Sequence, residues 1–185
     1  MLMEDKTEML DSPAPEAGRV SSADFSELYD LYATDVLRVA YYYLGDRQKA
    51  EDVTQDVFVR LLTNRPVLEA GREKAWLLKV ALNRCRDLWR GAWFRKVVLG
   101  HPAFELFPAP DEIGPIAESA ALAEAVNRLP ADFKEVVLLH YYQGYGISEI
   151  AVMLEIAEGT VSSRLSRARS RLKNILKGED LDEPS

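Results

Sequence analysis

Apolar side chains recur every three or four residues along most of the chain, and no run alternates between apolar and polar positions with a period of two. A spacing of three or four places apolar side chains on one face of a helix, whereas strict alternation is typical of a strand. One such stripe opens the first half of the chain, with Phe25, Leu28, Leu31, Tyr32, Val36, Val39, Ala40 and Tyr43. The pattern predicts an all-α protein.

Two further helices are predicted in the first half. Gly45 ends the first helix, and Asp46 is placed to cap a second whose buried stripe is Ala50, Val53, Val57 and Leu61. A third is expected from about Lys74 to Arg90, with Leu77, Val80, Ala81, Cys85 and Leu88 facing inward. Three such helices make a small bundle around one core.

The second half predicts a helix near 118–128 and another from Pro130 to about Tyr142. Ser148 is then expected to cap a short helix, Gly159 to form a tight turn, and Thr160 to cap a longer basic helix. The inner stripe of that longer helix is Val161, Leu165, Ala168, Leu172 and Leu176. Two helices joined by a short glycine-containing turn are typical of a DNA-reading helix-turn-helix.

Proline and acidic residues divide the chain into segments. The sequence predicts a flexible acidic tail over 1–22, a helical domain over 23–98, an extended acidic linker over 99–119, a second helical domain over 120–177 and an acidic tail over 178–185. The fold expected is therefore two small helical domains joined by an extended linker.

The 185 residues carry a net charge of -7, but the charge is unevenly distributed. Residues 1–20 carry -3, residues 101–119 carry -4 and residues 178–185 carry -4, so the two helical blocks together carry +4. Eight basic residues lie between positions 72 and 96, and six lie between 160 and 177 without any acid. Two basic surfaces, one in each domain, indicate contact with a phosphate backbone at two places.

Several classes of function are disfavoured by the sequence. Cys85 is the single cysteine, and the chain has only two histidines, His101 and His140. No intrachain disulfide and no Cys/His metal cluster are therefore expected. No apolar run is long enough to span a membrane, and the acidic start lacks the features of a signal peptide, so a cytoplasmic protein is expected. No phosphate-binding loop or nucleophile elbow is present, and we expect no enzyme, no cofactor and no small-molecule substrate.

Short hydroxyls and guanidinium groups mark the outer face of the basic helix in the second half. Ser162, Ser163, Ser166 and Arg167 fit positions that reach base edges in the major groove. For Arg164, Arg169 and Arg171 the sequence leaves both phosphate contact and packing open. In the first half, Lys79, Asn83, Arg86 and Arg90 share a helix face near Trp89, Trp93 and Phe94, which suits single-stranded nucleic acid. Core packing remains an equal alternative for Trp76 and Trp89.

The helix over 46–62 has an acidic outer face made by Glu51, Asp52, Gln55 and Asp56. Such a face offers carboxylates to a basic partner helix, although an ordinary solvated surface has the same composition.

The sequence as a whole resembles an extracytoplasmic-function (ECF) sigma factor of the bacterial sigma-70 family. The resemblance rests on three runs in this order, AEDVTQDVFVRLL, WLLKVALNRCRDLWRGAWFRK and LPADFKEVVLLHYYQGYGISEIAVMLEIAEGTVSSRLSRARSRL. It implies a specificity subunit of bacterial RNA polymerase that selects promoters and helps to open them, with sigma region 2 in the first domain and region 4 in the second.

The resemblance also implies roles for particular residues. Asp52, Gln55 and Asp56 would dock on the clamp helices of the large polymerase subunit. The single-stranded minus-ten element would be read by Lys79, Asn83, Arg86, Asp87 and Arg90, and the duplex minus-thirty-five element by Thr160, Ser162, Ser163, Arg164, Ser166, Arg167 and Arg171. A regulatory anti-sigma factor is the further partner implied.

Two alternatives are set against this interpretation. A helix-turn-helix regulator that is not a polymerase subunit explains the second domain equally well, but it gives no reason for the tryptophan-rich basic helix or the acidic helix of the first. A protein-interaction module would use its basic faces for a protein partner instead of DNA.

Overall fold

The computed structural model describes residues 22–99 and 120–178. Over these ranges the chain is helical and contains no β-strand, which confirms the all-α prediction. Seven α-helices lie in the described ranges, namely α1 Ser22–Leu44, α2 Arg47–Asn64, α3 Glu73–Leu99, α4 Ala120–Asn127, α5 Ala131–Val137, α6 Ile147–Leu154 and α7 Glu158–Leu176. The predicted tails and linker lie outside the described residues, except at Ser22, Leu99 and Gly178.

Helices α1, α2 and α3 pack on one another to form the first domain. Gly45 ends α1 in the left-handed region with φ of 67°, as predicted. The Asp46 carboxylate accepts a hydrogen bond from the Lys49 backbone N–H at 3.0 Å and so caps α2. The predicted stripe of α2 is fully buried at Ala50, Val53, Val57 and Leu61.

Helix α3 is longer than predicted, because Gly91 does not interrupt it and the helix runs on to Leu99. Its buried face also differs in detail. Leu77, Ala81 and Cys85 are buried as predicted, but Leu78 and Leu82 complete the face, while Val80 and Leu88 are only partly buried. The reason is that α3 packs against both α1 and α2, so its buried face is wider than one stripe.

The second domain holds the predicted helix-turn-helix as α6 and α7, but its caps differ from the prediction. Helix α6 begins after Gly146, whose N–H donates to the Glu149 carboxylate at 2.8 Å, and Ser148 lies inside the helix instead of capping it. The turn after α6 is made by Glu155, a left-handed residue with φ of 57°. Gly159 and Thr160 lie in the first turn of α7, so their predicted turn and cap roles are wrong.

The inner stripe of α7 is buried at Val161, Leu165 and Ala168. Toward the end of the helix the burial weakens, and Leu176 is 52% exposed, which corrects its predicted inward position. Between α5 and α6, residues Leu138–Tyr142 form a π-helical turn. The buried apolar side chains of the two domains join in one continuous cluster. None of the described helices is long and apolar enough to cross a membrane.

Candidate nucleic-acid interface

The outer face of α7 presents the residues predicted to reach base edges. Ser162, Ser163, Ser166 and Arg167 are all exposed, and they lie opposite the buried Val161, Leu165 and Ala168. The Ser163 hydroxyl donates to the Thr160 carbonyl at 3.0 Å. Because a hydroxyl can accept while it donates, that bond leaves the Ser163 oxygen able to receive a donor from a base. Thr160 and Arg171 are half-buried at the two ends of this face.

Arg164 has a partner within its own domain. Its guanidinium donates to the Asp132 carboxylate of α5 at 2.6 Å, and its side chain is mostly buried. The sequence left phosphate contact and packing open for Arg164, and this ion pair supports packing of α7 on α5. Arg169, by contrast, is exposed.

On α3, the five residues predicted to read a single strand fall into two groups. Asn83, Asp87 and Arg90 are exposed. Lys79 and Arg86 instead contact acids of the second domain: Lys79 pairs with Glu155 at 2.5 Å, and Arg86 pairs with Glu135 through two bonds of 2.8 and 2.7 Å. The structure thus brings all five onto one helix but leaves three of them open to solvent.

The tryptophans near this face are only partly available. Trp76 and Trp89 are both half-buried and pack against the core cluster, which supports core packing as their main role. Of Trp93 and Phe94 only the helical backbone lies within the described structure.

The acidic face of α2 is present as predicted. Asp52 and Gln55 are exposed, while Asp56 is half-exposed and accepts a hydrogen bond from the Arg84 guanidinium of α3 at 2.8 Å. Glu51 pairs with Arg47 one turn earlier at 2.9 Å. Asp52 and Gln55 are therefore the side chains of this face that solvent reaches most freely.

Sequence reasoning missed two charged residues, Lys134 and Glu135, each only 1% exposed. The Lys134 ammonium donates to the Tyr43 carbonyl at 3.0 Å and lies over the Tyr43 ring. Burial lowers the pKa of Lys134 to about 8, and it raises the pKa of Glu135 although Arg86 partly opposes that shift. The signal in the sequence was a charged pair inside the apolar run FKEVVLL.

The environment of the cysteine does not favour reactivity of its thiol. Cys85 is fully buried in the first domain, and burial raises the pKa of its thiol far above the usual range, so the reactive thiolate is disfavoured. No cluster of three or more His, Cys, Asp or Glu side chains suited to a metal ion lies within residues 22–99 and 120–178.

Comparison with known proteins matches both domains to one family. The Sigma-70 region 2 model matches residues 28–95, and the model described as Sigma-70, region 4 matches residues 119–172. The chain is 36% identical to the ECF RNA polymerase sigma factor SigL of Mycobacterium tuberculosis over 171 residues, which cover 85% of this chain and 95% of SigL. It is 33% identical to the ECF RNA polymerase sigma factor BldN of Streptomyces coelicolor, over 87% of this chain and 64% of BldN.

A solved structure agrees with these matches. The sigma factor RpoE of Bartonella quintana, crystallised in complex with the anti-sigma factor NepR, is similar with a TM-score of 0.71 and 26% identity. The similarity covers 86% of this chain and 99% of the Bartonella chain.

Proposed function

The chain belongs to the sigma-70 family as an ECF RNA polymerase sigma factor, and from that premise we propose how its surfaces divide the work of transcription initiation. It is an alternative sigma factor that directs bacterial RNA polymerase to promoters. Members of this family are initiation factors, and we assign no bond chemistry to this chain. Nucleotidyl transfer belongs to the polymerase.

The exposed face of α3 is assigned to the single-stranded minus-ten element. Asn83 offers both donors and an acceptor to a base edge, and Arg90 offers a cation to the strand backbone. The proposed set on the same helix is completed by Asp87, Lys79 and Arg86. The resemblance also implies a role for the segment 64–73, of which 65–72 forms the loop between α2 and α3. Such contacts form only with unstacked bases, so their binding energy offsets the cost of opening the duplex.

The face of α7 is assigned to the duplex minus-thirty-five element. Its exposed serines and Arg167 lie on the N-terminal half of the second helix of the helix-turn-helix, which is the part that enters the major groove in such motifs. Arg167 has the geometry to bind a guanine through two hydrogen bonds. Thr160 and Arg171 flank the face, and Arg164 joins α7 to α5 through its ion pair with Asp132.

Asp52, Gln55 and Asp56 on α2 are assigned to docking on the clamp helices of the large polymerase subunit. Support comes from their exposure and from the negative charge they offer to a basic helix. An anti-sigma factor is proposed as a regulatory partner, since the similar Bartonella sigma factor is bound to one. We place the chain in the cytoplasm, where polymerase acts.

The observation that carries this proposal is that two helices in separate domains each expose polar and basic side chains, namely Asn83, Asp87 and Arg90 on α3 and the serines with Arg167 on α7. A promoter has two elements, one opened to a single strand and one kept as a duplex. The α3 face offers an amide and a cation suited to a single strand, and the α7 face offers short side chains and an arginine suited to the major groove of a duplex. A regulator that binds only duplex DNA leaves the region 2 match of the first domain unexplained.

Replacing Asn83 and Arg90 together by alanine is expected to reduce strand opening about tenfold or more, because hydrogen bonds to charged groups each contribute about 1.5–3 kcal/mol. Opening is measured as permanganate reactivity of unpaired thymines at start sites mapped with the wild-type holoenzyme. Binding of the variant to core polymerase is measured in parallel and should not change.

The matched control replaces Arg128 and Asn174 by alanine; Arg128 directly follows α4 and Asn174 lies on α7, both outside all the assigned faces. This control should open promoters like the wild type. If the permanganate reactivity of the Asn83/Arg90 variant equals that of the control, the assignment of α3 to the minus-ten element is wrong.

A further inference from the structure

A shallow apolar groove lies in the second domain, outside both sets of residues assigned to DNA. Its apolar side chains come from α4, from the π-helical turn and from the last two turns of α7, namely Leu122, Tyr141, Leu172 and Leu176. Leu122, Tyr141 and Leu176 are exposed although they are large. Large apolar side chains that are exposed together are typical of a surface that contacts another segment or molecule. We call this surface the α4–α7 groove.

Basic residues lie along one edge of the α4–α7 groove. Arg169 and Lys173 are one turn apart on α7, and Lys177 follows at the C-terminal end of that helix. The spacing of four places them in one row, next to the row of Leu172 and Leu176. Because the groove is almost wholly apolar, these side chains line it with their methylene stems and hold their charges at its edge.

The charges at this edge are not neutralised by the rest of the second domain. The chain has no acid between positions 160 and 177. Within residues 22–99 and 120–178, Arg169 and Lys173 form no ion pair. The groove therefore suits a segment that has an apolar centre and acidic flanks.

The chain itself carries a segment of this composition directly after α7. Residues 179–185 read EDLDEPS, in which Leu181 stands between two pairs of acids. The segment has no basic residue, and Leu181 is its one large apolar side chain. Its charge and its apolar centre thus complement the edge and the floor of the groove.

This acidic tail is long enough to reach the groove. Gly178 has a φ of 73°, in the left-handed region that commonly ends a helix and redirects the chain. Leu176, which is already part of the groove, lies two residues earlier, and Leu172 lies about 6 Å further back along the helix axis. The three residues from Gly178 to Leu181 span up to about 10 Å when extended. Leu181 can therefore lie against both leucines of α7.

We propose that the acidic tail 179–185 folds back on the α4–α7 groove, with Leu181 against Leu172, Leu176 and Tyr141 and with its acids beside Arg169 and Lys173. Between separate molecules this contact is weak, since it buries one leucine and its ion pairs are exposed. Attachment at Gly178 makes the contact intramolecular, at an effective concentration on the order of millimolar, and so favours it.

Docking of the tail affects the basic helix that precedes it. Acids held beside Arg169 and Lys173 cancel positive charge on α7, so the docked tail lowers the affinity of this helix for the phosphate backbone of duplex DNA. This consequence rests on the proposed role of α7 in reading the minus-thirty-five element, whereas the docking itself does not.

Nuclear magnetic resonance of the full chain with labelled leucine methyl groups tests the docking directly. We expect nuclear Overhauser contacts between the Leu181 methyl groups and the Tyr141 ring, since such contacts arise only between protons a few ångströms apart. A Leu181→Ser variant, which keeps all four acids, should shift the methyl signals of Leu122, Leu172 and Leu176. The signal of Leu62, which is exposed in the first domain, should not move.

A Pro184→Ser variant is the matched control, because it changes the same tail without touching Leu181 or the acids, and its groove signals should equal those of the wild type. Absence of the Leu181–Tyr141 contact in the wild type, or unmoved groove signals in Leu181→Ser, overturns the proposal. A contact that forms only between differently labelled copies assigns the groove to a second copy of the chain. Contacts of Tyr141 with Phe104 or Phe107 in place of Leu181 assign it to the segment 100–119, and either result also overturns the proposal.

Duplex binding tests the consequence for DNA, measured as the anisotropy of a labelled minus-thirty-five duplex titrated with the full chain at low salt. We expect Leu181→Ser to bind at least about threefold more tightly than the wild type and Pro184→Ser, the gain expected if the tail is docked in about two thirds of the chains and opposes DNA. Because all four acids remain, this gain cannot come from loss of charge. Equal affinities would overturn the effect on DNA. No binding by any of the three proteins would instead count against α7 as the DNA-reading helix, and the Leu181–Tyr141 contact would still decide the docking.

Discussion

Changing both Asp52 and Asp56 to lysine is expected to weaken binding to core RNA polymerase at least about a hundredfold, because like charges placed across an interface cost several kcal/mol. Asp52 is exposed on α2, and Asp56 is half-exposed one turn later, so both can reach a basic partner helix. The substitutions place cations where docking on a basic partner helix requires anions.

The fold is expected to survive this double substitution. Asp52 has no buried contact, and Asp56 loses only its partly exposed pair with Arg84, a kind of contact worth about 0–1 kcal/mol. Thermal unfolding of the variant should therefore stay close to that of the wild type. This separates a docking role from a structural one.

The matched control carries the same change in charge on the same domain. Glu27 and Asp30 are exposed on α1, and their replacement by lysine should leave polymerase affinity nearly unchanged. Titration of fluorescently labelled chain with core polymerase, followed by anisotropy, measures the affinity of the wild type and of the two double variants. Equal affinity of the two double variants would place the docking surface elsewhere.

The second large effect is expected at Arg167. Replacing it by alanine should lower affinity for the cognate minus-thirty-five duplex about 10–100-fold, since a good two-bond contact to a base contributes about 1–3 kcal/mol. Arg167 is exposed on the outer face of α7 and lies opposite the buried stripe, so the change leaves the packing of the second domain intact.

Base reading and phosphate contact leave different signatures. If Arg167 reads a base, its removal relaxes the sequence preference at one position, whereas removal of a phosphate contact weakens all sequences alike and reduces the salt dependence. Lys173→Ala on the exposed C-terminal part of α7 is the control for loss of charge alone. Selection of duplexes from a randomised pool with the holoenzyme measures the sequence preference of both variants. An unchanged preference in Arg167→Ala would refute base reading.

The helical fold could be predicted from sequence because burial in a helical bundle follows a period of 3.6 residues. The buried stripe of α2 and the Asp46 cap were both predictable, since they depend on neighbours within one or two turns. The breadth of the buried face on α3 was not, because Leu78 and Leu82 are buried by two other helices at once.

The turn of the helix-turn-helix could not be placed correctly from the sequence, for a different reason. Glycine is the usual residue in the left-handed region, so Gly159 was the natural choice for the turn. The chain instead places Glu155 there and begins α7 at Glu158, with Gly159 inside it. Which residue accepts the strained conformation is decided by how α6 and α7 pack, and that information is not local.

The candidate site was predictable where it depends on exposure along one helix, as for the serines and Arg167 of α7. It was not predictable where the partner lies far away in sequence. Arg86 and Glu135 are 49 positions apart, and nothing in either segment indicates that they pair. The same holds for Lys79 and Glu155, which are 76 positions apart.

Run-off transcription with purified core RNA polymerase and fragmented genomic DNA, with and without this chain, tests the central claim most directly. A sigma factor should produce defined new start sites that depend on its addition, with two shared sequence elements upstream of them. No new start sites, together with no co-elution of the chain with core polymerase, would contradict the account.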